Sequence, residues 1–283
     1  MSVAYILTLT CPDRPGIVAA VTTCLAEHGG NITEAQQYND QESGRFFMRV
    51  EFAVESDQGN GLHSGLSVLA KEFGLVWSLR QKGERKRVML FVSRFDHCLG
   101  DLLYRMRIGE LDMDVVGIIS NHPKDKLNLT TFGEIPYHHL PITPETKAEQ
   151  EAKIAGLLEE TGTELIVLAR YMQILSDDLS RQLAGRCVNI HHSFLPGFKG
   201  ARPYHQAHKR GVKMIGATAH FVTPDLDEGP IITQDVIEVT HADTPSDLVR
   251  KGRNVEQRTL SQAVSLLLED RVLLNGDKTV VFS

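Results

Sequence analysis

The chain has 283 residues, 42% of them hydrophobic and 23% charged, enough for a sizeable core and for two domains. Its formal net charge of -6 argues against a general nucleic-acid binder. No apolar run is long enough to cross a bilayer, and MSVAYILTLTCPDRPG has no basic leader, so no membrane partner and no signal peptide are expected. The four cysteines (Cys11, Cys24, Cys98 and Cys187) form neither a CxxC pair nor a zinc-finger spacing. Each lies in or beside an apolar segment, as free thiols do in a reducing compartment. A cytoplasmic chain with no metal site is expected.

Val3 to Leu9 alternates as a strand, CPDRPG turns the chain, and Ile17 to Glu27 has helical periodicity ended by Gly29-Gly30. Asn31 to Tyr38 and Arg45 to Val54 are strands joined by the polar turn NDQESG. A helix from about Leu62 to Phe73 and a strand from Leu75 to Arg80 complete a βαββαβ, ferredoxin-like order. Gln81 to Arg87 is charge-dense and reads as a linker, which sets domains of residues 1–83 and 84–283.

The second domain restarts with the buried strand VMLFVS, a helix from about Cys98 to Arg107 and a strand from Asp114 to Ser120. After a short strand near Ile135, Thr143 reads as an N-cap with Pro144 at the first helical position. ELIVLAR, SDDLSRQL with Ser176 as cap, CVNIH and RPYHQAHKRG follow as strand, helix, strand and helix. Strands at Met214 to Val222 and Ile231 to Val239 precede a long helix that starts at Thr244-Pro245. An Asn275-Gly276 turn signal lies between the last apolar runs. The alternation predicts an α/β fold with a doubly wound, mainly parallel sheet.

In CVNIH, Asn189 and His191 share one face of the strand and Val188 and Ile190 the other. The pair sits at the C-terminal strand end, where open α/β sheets bind ligands. An amide and an imidazole there can donate to a developing oxyanion or exchange a proton. Taken alone, the pair fits a polar strand end that makes turn hydrogen bonds. GATAHFVTPDLDEGP brings another strand to His220 and then a loop bearing Asp225, Asp227 and Glu228, which alone fits a solvated acidic loop. Together the clusters supply the parts of an acid/base site. LARYMQILS ends a strand with apolar and amide residues and suits a slot for a flat heteroaromatic ring.

NIHHSFLPGFKG followed by HFVTPDLDEGPII resembles the signature of the formyltetrahydrofolate-dependent formyltransferase and hydrolase family. The resemblance covers the second domain and implies a formyltransferase fold with Asn189, His191 and Asp227 as catalytic trio. It implies His220 and Ser193 as supports, and a folate pocket with Leu168, Met172, Gln173, Leu175, Val222 and Thr223. His192 departs from the transformylase pattern, which has proline there, and adds a second ionisable group beside the site as a further supporting candidate. The first domain is similar to ACT modules through the DRPGI turn and Asn31. That implies an amino-acid site with Asp13, Gly16, Ile17 and Asn31, glycine and methionine being candidate effectors, or else a role in homo-oligomer assembly. Family members that formylate glycinamide ribonucleotide carry a glycine-rich phosphate loop after the first strand. Here Phe95, Asp96 and His97 stand there, and Asp96 is expected to repel phosphate. An ACT module joined to HHSFLP is similar to the hydrolase branch, the formyltetrahydrofolate deformylases. The expected reaction is hydrolysis of 10-formyltetrahydrofolate to tetrahydrofolate and formate, which supplies formate for one-carbon and purine metabolism. No cofactor is expected; formyl transfer to an amine such as glycinamide ribonucleotide is the alternative.

Overall fold

The computed structural model describes residues 2–55, 61–129, 132–197 and 203–283. Phe198, Lys199 and Gly200 of the NIHHSFLPGFKG motif lie outside the described residues. The chain divides into two compact units, Met1–Glu84 with Glu269–Ser283, and Arg85–Leu268.

The first unit runs β1 (Ser2–Pro12), α1 (Ile17–Glu27), β2 (Asn31–Asp40), β3 (Arg45–Glu55), α2 (Leu62–Phe73) and β4 (Val76–Gln81). Its antiparallel sheet has the order β2-β3-β1-β4, the expected ferredoxin-like arrangement. The period of two places Leu7, Leu9 and Cys11 of β1 and Met48, Val50 and Phe52 of β3 in one core with Val21, Leu25 and Leu66 of the helices. The intervening β3 residues Phe47, Arg49 and Glu51 are buried as well. Arg49, 1% exposed, donates to Glu51 and to the carbonyl of Glu269, where the C-terminal segment begins. This corrects the expected domain boundary. Residues 269–283 follow the second domain in sequence but pack with the first unit, because a buried guanidinium needs the acceptor that this segment brings. They form the hairpin β12 (Val272–Asn275) and β13 (Lys278–Val281) around the Asn275-Gly276 signal. The linker is also shorter than expected, since Gln81 closes β4 and Lys86 opens the next strand.

The second unit contains β5 (Lys86–Val92), α3 (His97–Arg107), β6 (Met113–Ser120), β7 (Tyr137–His139), α4 (Lys147–Glu160) and β8 (Leu165–Leu168). It continues through α5 (Asp177–Gln182), β9 (Cys187–His191), α6 (Pro203–Arg210), β10 (Met214–Phe221), β11 (Ile231–Glu238) and α7 (Pro245–Leu268). Among the described residues, the sheet order is β11-β10-β9-β8-β5-β6-β7. The strands from β7 to β9 pair in parallel, and β10 and β11 add an antiparallel edge. The chain leaves β5 toward β6 on one side and later fills β8 on the other. That reversal opens a crevice at the strand C-termini. Ser176 caps α5 by accepting from the Leu179 N–H, and Thr244 and Asp247 cap α7 reciprocally. Helix α4 differs from expectation: Thr143 accepts from the Thr146 N–H to close a separate turn, and the helix begins only at Lys147. Among the described residues, no helix is long and apolar enough to cross a membrane.

Candidate active site

A cleft of about 590 Å³ opens at the C-terminal ends of β5, β8 and β9. After β8 the chain turns through Arg170, a non-glycine residue at φ 66°, and sends Met172 and Ile174 to the cleft lip at 50% and 60% exposure. Such apolar exposure is notable where it gathers around one opening, here with Phe95 and Leu226. All six residues expected to hold the pterin (Leu168, Met172, Gln173, Leu175, Val222 and Thr223) line this cleft.

Strand β9 delivers Asn189 and His191, and antiparallel pairing with β10 sets His220 opposite Asn189. The loop after β10 returns past Gly229, where a Cβ would lie 1.8 Å from the Phe221 carbonyl oxygen. That approach folds the loop tightly, and Asp227 adopts φ 58°. Its carboxylate turns inward, whereas Asp225 and Glu228 remain exposed. Left-handed backbone at Asp227 and Arg170 puts local strain beside the same cleft, a pattern frequent at functional sites.

The expected trio converges. The His191 Nδ1–H donates to Asp227 Oδ1 at 3.1 Å. His220 Nε2 lies 3.7 Å from the same oxygen, too far for a hydrogen bond. The His220 Nδ1–H donates to the Phe221 carbonyl at 2.9 Å, so in the neutral ring Nε2 is an acceptor for the Asn189 amide at 3.3 Å. Burial favours the neutral form of Asp227, but the hydrogen bond from His191 and the nearness of His220 outweigh it. The carboxyl is held well below the usual carboxylate range. Asp227 is therefore an ionised acceptor that orients His191. His191 Nε2, on the other side of the ring, is buried and has no hydrogen-bond partner among the described residues. An unsatisfied ring nitrogen beside an amide N–H is a site for a developing negative oxygen.

The supporting residues divide. Ser193 does not line the cleft; its hydroxyl donates to the Gly197 carbonyl at 2.8 Å and shapes the following loop. His192 does line it, tilted over His191 at 5.0 Å between ring centroids. Burial first, then the charges of Arg170 and His191, lower its pKa from 6.5 to about 4.

Several cleft residues had no sequence signal strong enough to single them out. Glu256, from the middle of α7, is 1% exposed and accepts from the Tyr204 hydroxyl at 2.6 Å. Its other oxygen lies 2.7 Å from His97 Nε2 and 3.4 Å from Arg170 Nε. Burial works against its ionisation, but His97, Arg170 and Tyr204 prevail and keep its pKa low. His97, Cys98 and Glu256 could present ligand atoms to a metal, all within 4.8 Å of one another. The Arg170 cation against the same carboxylate opposes that use. Asp96 corrects another expectation. Its carboxylate is 8% exposed and accepts from the Leu129 N–H at 2.7 Å, so it faces a neighbouring loop and repels nothing in the cleft.

The residues proposed for an amino-acid site do not gather in one chain. Gly16 (φ 96°) opens α1, which has no side-chain cap, and Asp13 accepts from Asn39 at 2.6 Å. Asn31 pairs with Ala53, which pairs with Ala4, whereas the turn follows Pro12. Positions 4 and 12 lie roughly 25 Å apart along an extended strand. A site using both ends would need a second copy of the chain.

The pattern of the formyl transferase family matches residues 86–264, and that of the ACT domain matches residues 5–60. The chain belongs to the formyl transferase family. Within that family it groups with the formyltetrahydrofolate deformylases: it is 52% identical to that of Corynebacterium sp. (strain P-1), over 99% of this chain and 98% of the relative. The solved formyltetrahydrofolate deformylase of Burkholderia mallei has a TM-score of 0.95 at 50% identity, covering 99% of this chain and 100% of that one. A glycinamide ribonucleotide transformylase of Symbiobacterium toebii shares the second unit's fold more distantly. Its TM-score is 0.65 at 29% identity, covering 73% of this chain and 98% of that one.

The position of His192 gives a pH prediction. Between pH 6.5 and about 4 the unfolded imidazole binds a proton that the folded one does not, so stability falls as pH drops through that window. The full effect is at most about 3 kcal/mol. Urea midpoints followed by far-ultraviolet circular dichroism should fall over this window in the wild type and fall less in His192→Asn. Equal slopes in the two proteins would place the loss elsewhere.

Proposed function

We propose that the cleft hydrolyses 10-formyltetrahydrofolate to tetrahydrofolate and formate. The observation that carries this reading is the buried Nε2 of His191, without a partner among the described residues and fixed by Asp227 beside the Asn189 amide at the end of an apolar slot. The names and full-length coverage of the relatives support the same reaction.

With the pterin in the slot between Leu168, Leu175 and Val222, the formyl group faces the trio. Asp227 accepts a hydrogen bond from water and aligns it on the formyl carbon. Asn189 and a protonated His191 Nε2 donate to the oxygen as it gains charge. As the C–N10 bond breaks, N10 takes the proton given up by water, by way of Asp227 or a relayed water. A carboxylate as acidic as Asp227 passes this proton on readily and retains it poorly. The role is therefore conduit and orienter more than strong base. The reaction as written calls for no redox or group-carrying cofactor.

The ACT unit supports a second element of the reading, control by a small amino acid such as glycine or methionine. The uncapped α1 N-terminus after Gly16 suits a carboxylate, and Asn31 suits an amino group. Since the two lie at opposite ends of the sheet, this control implies a homo-oligomer.

Asp227→Asn should bind folate nearly as the wild type does and lose formate release by on the order of a hundredfold or more. Wild-type turnover in that variant would remove Asp227 from the mechanism. In the same assay, glycine or methionine should change wild-type turnover several-fold, the scale of ordinary coupling energies. No response to any of the twenty amino acids would leave the unit an assembly module.

A further inference from the structure

The reacting carbon has two sides. In the proposed hydrolysis the pterin takes the apolar half of the cleft, and the attacking group must come from the other half. That half is walled by His97, Arg170, His192, Tyr204 and Glu256. These side chains are interlocked. Tyr204 and His97 both hold the Glu256 carboxylate, and the Arg170 guanidinium lies against it. His97, Arg170, Tyr204 and Glu256 come from four separate segments, the start of α3, the loop after β8, α6 and the middle of α7, and His192 follows β9.

The backbone is adapted to this contact. One turn before Glu256 on α7 stands Gly252, where a Cβ would lie 2.1 Å from the Tyr204 ring. The missing side chain lets the ring lie directly on the helix. Arg170 reaches Glu256 from a left-handed backbone that a non-glycine residue seldom adopts. Burying a carboxylate at 1% exposure is costly unless its geometry is tightly satisfied, and here both oxygens are held. From this cluster an unbroken row of rings leads to the trio: Tyr204 stands edge-on to His192 at 6.5 Å, and His192 lies 5.0 Å from His191.

We propose that His97, Arg170, Tyr204 and Glu256 form a plug that narrows the acceptor half of the cleft, so that water, and no larger amine, reaches the formyl carbon. The inference rests on the hydrolysis reading above and identifies what sets its specificity. It also places the chemical difference from the transformylase of the same fold in side chains while the backbone framework is shared. If the plug is opened, a primary amine can take the place of water. The C–N10 bond then breaks as a new C–N bond forms, the amine nitrogen gives up a proton and N10 receives one.

The test measures partition: formylated amine over formate, from 10-formyltetrahydrofolate with hydroxylamine or glycinamide present. In His97→Ala and Tyr204→Ala the ratio for glycinamide should rise by about tenfold or more, the scale on which pocket size discriminates. A merely structural role would lower both products together and leave the ratio unchanged. An unchanged ratio in folded variants that still release formate overturns the plug. If neither variant folds, the wild type still decides. Its preference for hydroxylamine over the larger glycinamide should exceed the uncatalysed preference by about the same factor, and equality with the uncatalysed preference overturns the proposal. Absence of formate release from the wild type would instead defeat the hydrolysis reading, a separate outcome.

Discussion

The carboxylate of Asp227 stands against two imidazoles, and the order of the cleft depends on that contact. It accepts a hydrogen bond from Nδ1 of His191, which turns the ring so that Nε2 faces the cleft. Its proximity to His220 closes the loop onto β10, while His220 in turn holds the Asn189 amide. A loop residue thereby orients side chains from two neighbouring strands. Strand pairing alone would bring Asn189 and His220 together, but it would leave His191 free to choose another tautomer.

A second set of charges lies across the cleft and is balanced within itself. Glu256 is held by His97, Tyr204 and Arg170, so its charge adds rigidity to the wall rather than a base for the reaction. The two carboxylates thus differ in partners and position: one is anchored to the trio that faces the formyl carbon, the other within the wall opposite. His192, between them and held neutral by burial and by neighbouring positive charge, links the two sets through ring contacts alone.

Much of this was legible in the sequence because the relevant residues are local and periodic. Asn189 and His191 follow the period of a strand, and the apolar LARYMQILS run marks the slot. Distant partners were not legible. Glu256 reads as one more polar residue on a long amphipathic helix, and the Tyr204 ring packed at Gly252, four residues earlier, is visible only in the fold. Asp96 suggested a charge in the cleft until the fold supplied Leu129 as its donor, 33 residues away. Arg49 and Glu51 alternate along β3 as an exposed face would, yet both are buried, and Arg49 finds its acceptor in the Glu269 carbonyl of the C-terminal segment. In each case the partner comes from a remote segment, which no local pattern encodes.

The claim that water is the acceptor at this site is tested most directly by the origin of the oxygen in the product. A single turnover of 10-formyltetrahydrofolate, with enzyme in excess in water labelled with oxygen-18, can be followed by mass spectrometry of the formate. The account predicts formate that carries at least one labelled oxygen, with tetrahydrofolate formed in equal amount. Unlabelled formate, or a formyl group retained on a side chain of the protein while tetrahydrofolate is released, would contradict it.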